Sequence, residues 1–250
     1  GDLRINIHAN TGFYTPKSYP KYLGSAEYMT LYNEARANDG LAANYSQEDI
    51  FNHASGSNPY RYPNFDMYSS EYLKKAYNRS EAIAEISGGS EKVRYYTTTG
   101  YYRESSLLKV GKTEDNYVSR FFVRGNVDMQ LHKFITAQAD ANVTFYDSYS
   151  ANVDWWGQTA TLRPHLVTPF IPLSYIEATD QNSLNAVLNS SYLQDGKFFF
   201  GGTQQHPTNP VADAYAAGDS KFVSRQFQFN TRFDVNLSPL LKGLYFRAKY

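Results

Sequence analysis

Residues 116–148 read NYVSRFFVRGNVDMQLHKFITAQADANVTFYDS and alternate apolar and polar side chains almost without a slip, broken only around His132 and Lys133. Successive side chains on a strand point to opposite sides of a sheet, so such a run has two differently solvated faces. In 117–131 one face holds Tyr117, Phe121, Val123, Val127, Met129 and Leu131, and the other holds Arg120, Arg124, Asn126, Asp128 and Gln130. Residues 134–146 set Ile135, Ala137, Ala139, Ala141, Val143 and Phe145 against Thr136, Gln138, Asp140, Asn142 and Thr144. Residues 222–237 set Phe227, Phe229, Phe233, Val235 and Leu237 against Gln226, Gln228, Asn230, Arg232, Asp234 and Asn236. The opening segment sets Leu3, Ile5, Ile7 and Phe13 against Arg4, Asn6, His8 and Asn10, and 92–104 is a more aromatic version. Ordinary strands run about five or six residues. These reach the roughly nine to eleven that a tilted strand needs to cross a bilayer.

The connections repeat a second pattern. SGGSEK (87–92), HK (132–133) and SPLLKG (238–243) are tight turns rich in Gly, Ser, Pro and Lys. The alternate connections, 16–79, 105–115 and 148–220, are mostly long. Strict alternation of short and long connections is the plan of an outer-membrane barrel, with short periplasmic turns and long extracellular loops. Structureless loops of that length are uncommon in compact domains.

Composition narrows the function. Lys plus Arg and Asp plus Glu are both 24, so no basic field gathers nucleic acid. Tyr numbers 23 and Phe 16 against 2 Trp and no Cys, a β-forming composition without disulfides or thiolate metal sites. No run of eighteen apolar residues marks a membrane helix, which leaves a β-barrel open. Both ends run directly into strand patterns, so the chain reads as a fragment with unpaired edges at 1–15 and 243–250, unstable as an isolated domain.

The first long loop has structure of its own. Ser25 is placed to cap a helix over 25–38 whose Tyr28, Leu31, Tyr32 and Ala35 share one face, ended by Asp39 and Gly40. Ser46 and Asp49 predict a second helix to about residue 54, and 67–77 a third. The second long loop holds DWWGQ, RPHLVTPFIP and GGTQQHPTNP, whose prolines predict extended, irregular backbone.

Sandwich interiors alternate too, so the apolar face meets either lipid or a second sheet. Length and charge favour lipid: Phe121 to Leu131 and Phe227 to Leu237 keep the apolar face free of charge, and Arg225 sits just above that band. There a charge costs roughly 0–1 kcal/mol, against about 2–4 at the midplane.

The stretches SAEYMTLYNEARANDG, NPYRYPNFDMY, ISGGSEKVRYYTTTGYY, SRFFVRGNVDMQL and NPVADAYAAGDSKFVSRQFQFNTRFDVNLSPLLKGLYFRAKY, in this order over most of the chain, resemble the early barrel of SusC/RagA-type TonB-dependent outer-membrane transporters of the Bacteroidetes. Met67 in FDMY departs from the Trp frequent in that family. The resemblance implies that residues 1–250 are about seven consecutive strands of a 22-stranded antiparallel transmembrane β-barrel, with short helices in its extracellular loops. It implies energised import of oligosaccharide or peptide, glycan first, across the bacterial outer membrane. The partners would be a SusD-like lipoprotein, the surrounding lipid, and TonB acting through a plug outside this chain. The alternatives are a peptide importer of the same family and a soluble or surface glycan-binding β-sandwich.

No catalytic or metal-binding set and no cofactor motif emerges. His8, His53, His132, His165 and His206 lack ligand spacing, and Asn44, Asn78, Asn142 and Asn189 are glycosylation sequons without weight in a bacterial protein. Trp155 and Trp156 are the ligand candidates, because aromatic faces in a polar loop stack on sugar rings or peptide side chains; packing the loop onto the rim is the plainer role. Arg120, Arg124, Asn126 and Asp128, with Gln228, Asn230 and Arg232, form a polar row facing a lumen or its plug.

Overall fold

A computed structural model describes residues 1–190 and 193–250; of the expected loop 148–220, residues 191 and 192 lie outside the description. The alternating segments form one antiparallel meander of seven strands: β1 (Arg4–Tyr14), β2 (Tyr77–Gly89), β3 (Val93–Ser105), β4 (Tyr117–His132), β5 (Ile135–Ala151), β8 (Asp219–Asn236) and β9 (Tyr245–Lys249). A separate two-stranded sheet, β6 (Phe170–Pro172) and β7 (Phe198–Phe200), lies inside the second long loop. β4, β5 and β8 are 16, 17 and 18 residues long, more than a bilayer crossing needs, and β5 and β8 extend past their expected limits. The long connections accordingly become 15–76, 106–116 and 152–218, all at one end of the sheet; the short ones, 90–92, 133–134 and 237–244, lie at the other.

Strand register makes each face continuous. Ile7 faces Ala84, Phe121 faces Tyr101 and Phe145, and Val143 faces Phe227, so one surface is apolar from β1 to β9. That surface has no second layer among the described residues: Ile7 is 75% exposed, Phe13 79% and Phe227 69%. The β6–β7 pair packs elsewhere, with Phe170 and Phe200 against Tyr215. Burying one such side chain contributes roughly 1.5–3 kcal/mol. Leaving the whole row in water would forgo more than the about 5–15 kcal/mol by which a typical domain is stable. The face therefore calls for an apolar medium. At its upper edge Arg225 pairs with Asp147 at 3.0 Å and lies over the Phe145 ring, which settles its charge beside the band.

The loop helices are α1 (Ser25–Asn38), α2 (Gln47–Ser55), α3 (Trp155–Thr161), α4 (Gln181–Leu188) and α5 (Pro210–Ala216). Ser46 caps α2 as expected, its hydroxyl accepting from the Asp49 amide, and Gly56 ends it in the left-handed conformation. Three local expectations change. Gly24, not Ser25, is the N-cap of α1, with Glu27 reaching back to its amide. Ser25 instead ties the helix to the loop, donating its hydroxyl to Pro63 O and its amide to Asn64 Oδ1. The packed side of α1 holds Ser25, Met29 and Tyr32 and leaves Leu31 and Ala35 exposed, because that anchor rotates the helix. The third helix at 67–77 does not form: Lys74 donates to Leu107 O and Lys109 to Tyr72 O, so this backbone pairs across to the next loop.

Candidate functional site

The three long loops meet in one core at the end of the sheet. Met67, Tyr72, Leu73, Leu108, Val110, Trp155, Val211 and Ala214 are its buried members. Phe65 donates its amide to Pro164 O at 3.1 Å and Thr168 its hydroxyl to Tyr60 O at 2.9 Å, stitching the first long loop to the last. Asn209 caps α5 through the Ala212 amide and also donates to Gly201 O at 2.8 Å. Gly111, at φ 50°, passes so close to α5 that a Cβ would stand 2.6 Å from Ala214 O, which only glycine permits. Met67 fills this core, and its sulfur accepts from Thr159 Oγ1.

The two tryptophans part company. Asp154 caps α3 by accepting from the Gly157 amide, and the helix turns consecutive side chains apart. Trp155 is 1% exposed and packs against Tyr72, so it has no face open to a ligand; this corrects its reading as a binding residue. Trp156 is 46% exposed and points toward Tyr68, whose ring stacks on Tyr22. Successive centroids of 6.1 and 5.8 Å make a three-ring platform. Beside it lies a cavity of about 210 Å³ lined by Asn64, Asp66 and Thr159 among others. Burial raises the Tyr68 hydroxyl pKa, keeping it a neutral donor. Tyr22 and Tyr68 gave no local signal in the sequence, since only the fold brings them to Trp156.

A second cluster joins the same loops. His165 stacks on Tyr28 at 5.2 Å, its Nε2 lies 3.0 Å from the Tyr45 hydroxyl, and His53 meets it edge-on at 6.2 Å. Two of the five histidines that looked scattered, His53 and His165, thus come together. No group of three His, Cys, Asp or Glu side chains able to hold a metal exists among the described residues. Burial, then the nearby His53 and Arg163, lowers the His165 pKa to about 4, so it is neutral at ordinary pH.

The polar row lies on one face, as alternation requires. Arg124 aligns with Asn142 and Gln228, Asn126 with Asp140 and Asn230, and Asp128 with Gln138 and Arg232. Arg120 sits two residues above Phe122, nearer the loops. Asn126 donates to Asp140, and Asp234 pairs with both Arg232 and Arg247.

A bare apolar face, a charged and amide-rich opposite face, and loops gathered at one end define the class: an antiparallel β-wall with one apolar and one polar face. No family model matches the chain. Among curated proteins it is similar to the TonB-dependent receptor P26 of Formosa agariphila, 25% identical over 194 residues, covering 77% of this chain. The chain spans 17% of the length of that relative. The likeness supports kinship with TonB-dependent receptors.

Proposed function

We propose that this chain is part of the barrel wall and extracellular mouth of a TonB-dependent importer of the SusC/RagA type in a bacterial outer membrane. The observation that carries it is the uncovered apolar face of the seven-stranded sheet, backed by a polar face and capped by loops at one end only. In this reading the barrel has 22 strands around a plug. The cargo is an oligosaccharide, admitted under a SusD-like lipoprotein lid that meets loops 15–76 and 152–218. TonB pulls on the plug, and no bond is made or broken. The platform Trp156, Tyr68 and Tyr22 supports glycan cargo, because flat rings about 6 Å apart offer successive stacking surfaces to a chain of sugar rings.

The decisive experiment takes the intact protein that contains this chain. A detergent requirement and heat-modifiable gel mobility are expected; a monodisperse, detergent-free form overturns the reading. Trp156→Ala is expected to weaken oligosaccharide binding at least tenfold, measured by calorimetry, and equal binding by wild type and variant removes the platform from the site.

A further inference from the structure

The polar face is not uniform along its length. Toward the short turns its cavity, about 350 Å³, is lined by charged groups including Arg94, Asp128 and Arg232; Asp234, paired with two arginines, lies on its rungs, and Asn126 with Asp140 on the next polar rung toward the loops. Toward the loops lies a different cavity of about 600 Å³. Its walls are the rings of Phe122, Tyr146 and Phe222, each from a different strand, with Tyr146 edge-on to Phe222 at 5.9 Å. Between them stand Asn142, Thr144, Ser224 and Gln226. Among the described residues none of these four side chains has a hydrogen-bond partner in the protein. Among the described residues the Arg120 guanidinium has no carboxylate within ion-pair distance; it lies 5.9 Å from the Tyr102 ring and 6.0 Å from that of Phe122.

Unspent amide and hydroxyl groups between aromatic walls are the complement of a hydroxylated ring: apolar C–H faces meet the rings, and hydroxyls satisfy the polar groups. An extended peptide is a poorer fit. The backbone groups of β4 and β5, which carry Phe122 and Tyr146, are taken on both sides by continuous pairing, so no strand can be added to them.

We propose that the inner face directly below the loops carries a second sugar-ring subsite, formed by Phe122, Tyr146, Phe222 and Arg120 with the free amides and hydroxyls between them. It is distinct from the Trp156 platform on the rim. The inference rests on the importer reading and adds an inner station to it, so cargo passes from rim to wall on its way in. The lower, charged half of the same face is left to hold the plug.

The test uses the intact protein in detergent with four probes: maltohexaose, laminarihexaose, xylohexaose and a tryptic digest of casein. At least one hexasaccharide is expected to bind. Phe122→Ala and Tyr146→Ala should each lower its affinity tenfold or more, and Gln226→Ala, a solvent-facing change that leaves the sheet intact, about threefold. Each loss should add to that of Trp156→Ala. Unchanged affinity in the inner-face variants while Trp156→Ala abolishes binding overturns the subsite and leaves the importer reading standing. Lower melting temperature without sugar, at unchanged affinity, assigns these side chains to plug contact and also overturns it. Binding of casein peptides alone overturns both the subsite and the glycan reading.

Discussion

At the scale of single residues, adjacent positions carry opposite duties. Trp155→Ala opens a cavity in the loop core and should destabilise the cap by about 3–5 kcal/mol. Trp156→Ala, on the surface, should change stability by no more than about 0.5 kcal/mol. Limited proteolysis of the loops separates the two: the first variant is expected to be nicked quickly, the second at the wild-type rate. Gly100 has a comparable importance on the inner face. A Cβ there would stand 2.4 Å from the Phe122 ring, so Gly100→Ala should push that ring aside and lower sugar affinity while leaving strand pairing intact. His165 gives the cap a pH dependence. Its pKa is near 4 when folded and about 6.5 when unfolded, so between these values the unfolded loops bind more protons. Cap stability is therefore full above pH 6.5 and falls as pH drops toward 4. Tyr28, Tyr32, Tyr45, His53 and Arg163 surround the ring, and none is a carboxylate able to stabilise its charge. Hydrogen exchange of the loops across that range should show the loss in wild type and a flatter profile in His165→Gln.

At the scale of elements, the wall was legible and the cap was only partly so. Alternation placed Phe121, Val143 and Phe227 on one face because side-chain direction in a strand is fixed by geometry, and pairing in register followed. The helix α2 announced itself through its Ser46 cap and α1 through its periodicity and its Asp39–Gly40 end, whereas the N-cap and the packed side of α1 did not. Which side is buried depends on Ser25 binding Pro63 and Asn64, a contact across the loop that no local pattern encodes. The absent helix at 67–77 has the same cause. The platform and the inner subsite were invisible for a related reason: Tyr68 with Trp156, and Phe122 with Tyr146 and Phe222, come from different elements. Phe122, Tyr146 and Phe222 each carried a trace of signal, as aromatic residues on an otherwise polar face. The element-scale prediction concerns lipid. Phe229, paired with Ala141 in the middle of the apolar band, should tolerate Leu but not Arg. Phe229→Arg is expected to cost about 2–4 kcal/mol, read as reduced heat-modifiable protein in the outer membrane. Arg225→Ala, at the band's edge, should have little effect on the same readout.

At the scale of the whole molecule, a sheet with one bare apolar face and two open edges, β1 and β9, is not self-sufficient. The 250-residue chain produced alone in buffer should aggregate and be recovered folded only with detergent or with the strands that complete its edges. A soluble, monomeric 250-residue product would refute this.

One detail of the longest excursion bears on how such proteins diversify. The chain leaves the wall at Ala151 and returns at Asp219, two residues paired across neighbouring strands, and Asn152 donates its amide to Gly218 O at 3.1 Å. The two feet of the loop stand side by side whatever lies between them. Closure entropy grows only slowly with length, so inserts of very different size can be planted on the same footing at little cost to the wall. Residues 152–218 are thus a graft site, where, on the importer reading, new cargo preferences can be tried by lineage or laboratory while the scaffold beneath keeps its fold.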